Sequence, residues 1–225
     1  MIAPISTWLK YLLATVCTIL TTSATAQKPA LAQLYPAAPP AGSSFVRVLS
    51  PLREPVQLSL AGVEEKQVLS AANNIATSYK VINPSRPFQI LVNGKAVAGS
   101  VKIEPNSFMT LVLKKSGDDY SLSAIADATQ GHNALKADLR VYNLVSGCTA
   151  VVIADKELKV FDNLTEGESR RRAINPVAAD LVALCGKAQS AVLALPQLQP
   201  GARYSMFITG EASAPALSGK LDVVE

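Results

Sequence analysis

Two stretches far apart in the chain share one frame. Ile82-Asn83-Pro84 and Gly94-Lys95-Ala96 recur as Ile174-Asn175-Pro176 and Gly186-Lys187-Ala188, a shift of 174 − 82 = 92 residues. Val46-Arg47-Val48 recurs as Leu139-Arg140-Val141 at a shift of 93, and Pro105 with its following apolar run recurs at Pro200 at a shift of 95. A period near 93 is too long for a solenoid unit and fits a duplicated domain. Each copy holds about 90 residues, enough for a small core of its own.

The runs inside each copy are short. Phe45–Leu49, Val56–Leu60, Gln89–Val92, Met109–Leu113 and Tyr120–Ile125 are rich in β-branched residues and bounded by Pro, Gly, Asn or Ser. Leu139–Leu144, Ala150–Ile153, Leu181–Leu184, Ala191–Leu195, Tyr204–Ile208 and Leu221–Val224 continue the series in the second copy. Spacing of roughly ten residues indicates strands of a sandwich or small barrel, and the fold expected is all-β: two tandem, related β-sandwich domains of immunoglobulin-like kind. Asn93-Gly94 is the clearest hairpin signal, because both residues tolerate the positive φ of a type I′ turn. Its counterpart keeps Gly186 and reads with Cys185 in place of the asparagine. No amphipathic helix follows residue 26. The expected domains are 45–126 and 138–225, joined by a polar, alanine-rich linker at 127–137 that carries His132, the only histidine.

Residues 1–26 have the pattern of a secretory signal: one charge at Lys10, an apolar core from Tyr11 to Leu20, and an A-x-A cleavage pattern at Ala24-Thr25-Ala26. The apolar run is about half of the ~20 residues needed to span a bilayer. The mature chain is therefore expected to be exported. Residues 27–44 form a Pro- and Ala-rich lead-in that cannot be helical. Within it, Tyr35 reads either as part of a loose linker or as a docking residue. Removing the signal leaves 21 − 1 = 20 lysines and arginines against 17 acids, a charge of about +3. That excludes a charge-driven nucleic-acid binder, which needs a basic stripe. Two cysteines remain, Cys148 and Cys185, an even number that favours a disulfide in an exported chain. A metal site is the alternative, with no histidine or further cysteine to complete it.

The same sequence offers little to catalysis. A serine nucleophile needs a histidine base, yet His132 falls in the linker and no serine sits in a G-x-S-x-G elbow. The carboxylate pairs Glu64-Glu65 and Asp118-Asp119 belong to polar loops between strands. No phosphate loop or metal-ligand cluster is present, so no catalytic residue, metal or cofactor is assigned and a non-enzyme is expected. One basic feature remains, Arg170-Arg171-Arg172, directly before the second Ile-Asn-Pro. Alternate arginines on a strand face one side, so Arg170 and Arg172 could meet carboxylates along an acidic polysaccharide. The plainer reading is a charged edge that discourages sheet-to-sheet aggregation.

Leu34-Tyr35-Pro36, Pro39 and Ala41-Gly42-Ser43-Ser44-Phe45-Val46-Arg47-Val48 resemble the start of the mature AlgF family, the accessory proteins of alginate O-acetylation. Arg140-Val141-Tyr142-Asn143-Leu144 and Ile174-Asn175-Pro176-Val177 resemble that family's second-domain segments. The resemblance implies a periplasmic accessory factor in O-acetylation of a secreted exopolysaccharide. Its partners would be periplasmic acetyltransferases, the membrane acyltransferase that supplies them, and an acidic polysaccharide. Alginate is the first choice of polymer, and cellulose is the alternative because related systems acetylate it. Two other readings stand beside this one: a periplasmic assembly chaperone, which shares the two-β-domain plan, and a carbohydrate-binding module, against which the 5% aromatic content argues.

Overall fold

The fold is that of a computed structural model, which describes residues 39–60, 66–86, 88–97, 101–127, 133–155 and 157–225. The signal at 1–26, most of the lead-in with Tyr35, the Glu64-Glu65 pair and His132 lie outside the described residues.

The first half contains β1 (Ser44–Leu49), β2 (Val56–Leu60), β3 (Lys66–Leu69), β4 (Lys80–Ile82), β5 (Ile90–Val92), β6 (Lys95–Ala96), β7 (Phe108–Ser116) and β8 (Asp119–Ala126). They make two sheets, ordered β4-β1-β7-β8 and β3-β2-β5-β6. The second half contains β9 (Ala137–Asn143), β10 (Ala150–Ala154), β11 (Leu158–Leu164), β12 (Ser169–Ile174), β13 (Ala179–Cys185), β14 (Ala188–Gln189), β15 (Leu193–Leu195), β16 (Arg203–Glu211) and β17 (Ala214–Leu221). Its sheets run β12-β9-β16-β17 and β11-β10-β13-β14, with β15 also on β13. Among the described residues none is helical, and so none forms a helix long and apolar enough to cross a membrane.

The register reproduces the shifts read from sequence. Val46 faces Met109 and Leu139 faces Tyr204, displacements of 139 − 46 = 93 and 204 − 109 = 95. Ile82 faces Ser44 and Ile174 faces Ala137. In both copies the Asn-Pro after that isoleucine ends the strand, since proline removes the next donor and restricts its predecessor. The expected β-sandwich pair is present, with a strand order of its own. An immunoglobulin sandwich groups its strands as ABED and CFG. Here the first strand of each half lies between the fourth strand and a later one, with which it runs parallel.

The hairpins show a one-residue difference from the sequence alignment. Asn93 and Gly94 have φ of 52° and 80°, a type I′ pair between Val92 and Lys95. In the second copy Cys185 pairs with Ala188, so the turn is Gly186-Lys187, with φ of 60° at Gly186 alone. This is the II′ arrangement, glycine first. Cys185 therefore corresponds to Val92, a strand residue, and not to Asn93.

Strand alternation then fixes the layers. Val46 and Val48 point into the first core with Leu58, Ile90 and Leu111, while Leu139 and Val141 point into the second with Val152, Leu181 and Met206. The residues between them, Arg47 and Arg140, must face the other way. The sheets of β1 and β9 consequently pack back to back, with Leu49, Ile75, Val112, Tyr142 and Phe207 forming a third cluster. The C-terminal residues cross to the first half as well. Tyr79 N–H donates to the Val223 carbonyl and Glu225 N–H to the Tyr79 carbonyl, both at 2.8 Å.

Cys148 and Cys185 form a disulfide, with their Cα atoms 5.5 Å apart. It ties the approach to β10 to the end of β13. The pairings Leu58–Val92 and Ala150–Cys185 show that the first half places Val56 and Val92 at the equivalent positions, both fully buried.

Candidate functional site

The most elaborate polar cluster grows from the repeated apolar-Arg-apolar triplets. Arg47 leaves β1 toward the second half, where its Nη1 meets the Asp222 carboxylate at 2.7 Å. Arg140 leaves β9 toward the first half, where its Nη1 meets Asp127 at 3.1 Å. Asp127 and Asp222 are themselves repeat equivalents, each directly following the last residue of its hairpin's outer strand, 222 − 127 = 95. Each half thus supplies the anion for the other's cation. The hydroxyl bonds, by contrast, stay within each half: Thr110 donates to Asp127 at 2.6 Å, and its equivalent Ser205 donates to Asp222 at 2.9 Å. Arg47 also donates to both hydroxyls and to Tyr142 Oη.

Burial makes this joint a sealed one. Arg47 is 1% exposed and its guanidinium lies 4.5 Å from the Tyr79 ring centroid. Burial opposes its charge, but Tyr142, Tyr79, Asp222 and Asp127 outweigh it and hold the guanidinium above its usual range. Burial also raises the Tyr79 phenol, against the pull of Arg47. Tyr142 is pushed up to about 12 by burial, again opposed by Arg47. Both phenols stay protonated and donate to Asp127, at 2.8 and 2.6 Å. The cavity left among Tyr79, Phe108, Asp127, Arg140 and Arg203 is about 20 Å³, room for one water. A substrate does not fit.

The three arginines named from sequence are divided. Arg170 and Arg172 do lie on one side of β12. Both turn to the facing edge of the other sheet: Arg170 donates to the carbonyls of Asp162 (2.7 Å) and Asn163 (3.1 Å), and Arg172 to that of Val160 (3.0 Å). They stitch β12 to β11, two edges that no ladder joins. Arg171 faces the opposite way, into the joint, and grips both Asp138 oxygens at 2.7 and 2.9 Å. Both cations at the edge thus satisfy backbone acceptors.

Among the described residues, two open concavities sit at the Ile-Asn-Pro segments. The first, of about 450 Å³, is walled by Pro40–Ser43, Val81–Ser85 and Pro105 and contains no charged side chain. The second, of about 540 Å³, opens where the chain leaves β12 and crosses to β13. Its floor is the second core itself: Leu139, Ala154, Leu181 and Leu195. Leu158 and Val177 form its lips, 66% and 47% exposed, and Lys136, Asp155 and Arg172 stand on the rim. Asp155 accepts from the Asp180 N–H at 3.3 Å. Neither groove was visible in the sequence: the second is made where two sheets part, and the first where the end of β4 meets the approaches to β1 and β7. Among the described residues, no group of three or more His, Cys, Asp or Glu is placed to hold a metal ion.

Residues 17–204 match the family described as "Alginate O-acetyl transferase AlgF". A protein of Pseudomonas putida described as "Alginate biosynthesis protein AlgF" is 27% identical over 183 residues, 81% of this chain and 80% of that one. A protein of the same description from Pseudomonas fluorescens is 25% identical over the same shares. Among solved structures, the carbohydrate-binding module CBMbc (family CBM26) of Eubacterium rectale Amy13K, in complex with maltoheptaose, is matched at 12% identity. The match covers 80% of this chain and 95% of that one with a TM-score of 0.25, too low to bear on fold or ligand.

Proposed function

Since the chain belongs to the alginate O-acetyl transferase AlgF family, we propose that it is an exported, non-catalytic adaptor of alginate O-acetylation, working in the periplasm. On this reading it holds the periplasmic acetyltransferases, the membrane acyltransferase that feeds them, or the polymer close to one another. Cellulose is the alternative polymer.

One observation carries the proposal. The cluster of titratable groups around Arg47, Tyr79, Asp127, Arg140, Tyr142 and Asp222 is spent on fastening one sandwich to the other. Its cavity of about 20 Å³ leaves no place for an acetyl donor. Among the described residues, the grooves at the two Ile-Asn-Pro segments hold no nucleophile and base side by side, which suits holding better than reacting.

The test has two parts. Proton NMR of the secreted polymer from a deletion strain and its complemented parent should show acetyl esters lost and restored while polymer yield holds. The purified protein, given an acetyl ester donor and polymannuronate oligomers, should transfer no acetyl group. Unchanged esters would remove the protein from the acetylation machinery, and transfer in vitro would make it an enzyme.

A further inference from the structure

We propose that the groove at Ile174–Ala179 is the seat of a protein partner's segment, one that inserts an aliphatic side chain flanked by carboxylates. This deepens the adaptor reading and rests on it.

The floor supplies the first argument. Leu139, Leu181 and Leu195 belong to the second hydrophobic core and are at most 3% exposed, and above them the groove opens between exposed lips made by Leu158 and Val177. An exposed Leu or Val at a single site is ordinary, whereas apolar lips above an apolar floor with a polar rim mark an interaction site. An inserted aliphatic side chain would complete a packed interior.

Charge supplies the second. Lys136 and Arg172 stand on the rim against one acid, Asp155, and that carboxylate already accepts from the Asp180 N–H. Arg172 directs one nitrogen to the Val160 carbonyl, and a guanidinium has five N–H donors in all, so donors remain for an incoming carboxylate. A negative charge beside the anchor would therefore be steered and oriented.

The absence of rings among the lining residues supplies the third. No aromatic side chain lines this groove, so a sugar ring would find no π face on which to rest its C–H surface. A peptide anchor needs only aliphatic contact and a charged neighbour. The groove at the first Ile-Asn-Pro has no charged side chain and no core floor among its lining residues, so the two grooves are not interchangeable sites.

The experiment places p-benzoylphenylalanine at position 177 of the full-length protein in polymer-producing cells and irradiates them. We expect an adduct with a second protein. Tandem mass spectrometry of the joined peptide should show an aliphatic residue within two positions of an Asp or Glu. Leu158→Asp, at a side chain already 66% exposed, should keep the melting temperature and cut adduct yield at least tenfold. Arg172→Glu should cut it at least threefold. The same probe at Val68, which is 57% exposed on β3 of the first half, should not give that adduct. The proposal is overturned if the adduct is polysaccharide or a second copy of this chain. It also falls if yield at 177 does not exceed yield at 68, or if neither substitution lowers it. Acetyl esters measured in the same strains separate the two readings. Ester loss on deletion with no specific adduct at 177 would sink the groove and leave the adaptor standing, whereas acetyl transfer by the purified protein would sink the adaptor.

Discussion

Arg47 Nη1 lies 2.7 Å from the carboxylate of Asp222, a residue 175 positions later in the chain, and neither side chain is more than 7% exposed. The repeat equivalents, Arg140 and Asp127, make the same contact in the opposite direction at 3.1 Å. Across a duplicated domain, each half sets an arginine against a carboxylate of the other, while Asp127 of its own half also supports Arg47. The tandem pair should therefore unfold as one unit.

Breaking the exchange should be costly in a specific way. Asp222→Asn leaves the Arg47 guanidinium buried without its anion, and removal of one partner of a buried pair costs about 3–5 kcal/mol. Urea unfolding should show that loss as a single transition shared by both sandwiches. Arg47→Met combined with Asp222→Leu should recover at least half of it, because no uncompensated charge remains. Two separate transitions in Asp222→Asn would mean the halves are coupled by something other than this joint.

Alkaline titration reports on the same joint. The Tyr142 phenol rises from an ordinary value of 10.0 to about 12 through burial, with Arg47 opposing. Above pH 10 the unfolded chain loses this proton while the folded chain keeps it, so folding stability falls with rising pH. The contribution is complete below pH 10 and lost as pH approaches 12. Two units correspond to about 3 kcal/mol. Stability measured at pH 9, 10 and 11 should fall across this window. Tyr142→Phe should flatten the slope while lowering stability at pH 7 through the lost bonds to Asp127 and Arg47. An unchanged slope would show that Tyr142 ionises freely in the folded state.

The disulfide supports only the second sandwich. It closes a segment of 37 residues, for which the chain-entropy account gives about 4 kcal/mol. Cys148→Ala with Cys185→Ala should lower stability by that order, and hydrogen exchange should rise first in β10 and β13. Valines at both positions, as in the first half, should restore part of the loss by filling the space. Exchange rising equally in β2 and β5 would contradict a local effect.

How much of this was legible depended on what each strand must do. β1, β7 and β16 carry runs such as Val46–Leu49 and Met206–Ile208 and could be read directly. β11 escaped notice because Lys159, Asp162 and Asn163 break its alternation, and its pairing with β10 is irregular in the same place. β17 escaped because Pro215 and Gly219 argue against a strand, and the apolar run at Leu221–Val224 drew attention past its end. The triplets around Arg47 and Arg140 were seen as a repeat, yet nothing local tied them to Asp127, read as linker, or Asp222, read as strand. Those contacts depend on two sheets packing back to back, which no short-range pattern encodes. The three adjacent arginines are divided for a related reason: strand alternation sends Arg171 to the joint and its neighbours to the β11 edge.

The glycine that hid β17 makes the last prediction. Gly219 faces Met206 in the ladder, and a Cβ built there would run into the ring and hydroxyl of Tyr204, which is 6% exposed against the second core. The phenol occupies the space a side chain would need, so any residue larger than glycine must displace it. Gly219→Ala should force the ring away and cost about 1–3 kcal/mol, the range for overpacking a closed site. Because the obstacle is a single side chain, the cost should not add to that of Tyr204→Ala. In the Tyr204→Ala background, Gly219→Ala should be neutral or stabilising, since alanine suits a strand better than glycine. Equal costs of Gly219→Ala in both backgrounds, read from denaturant midpoints, would show that the ring does not set the identity of residue 219.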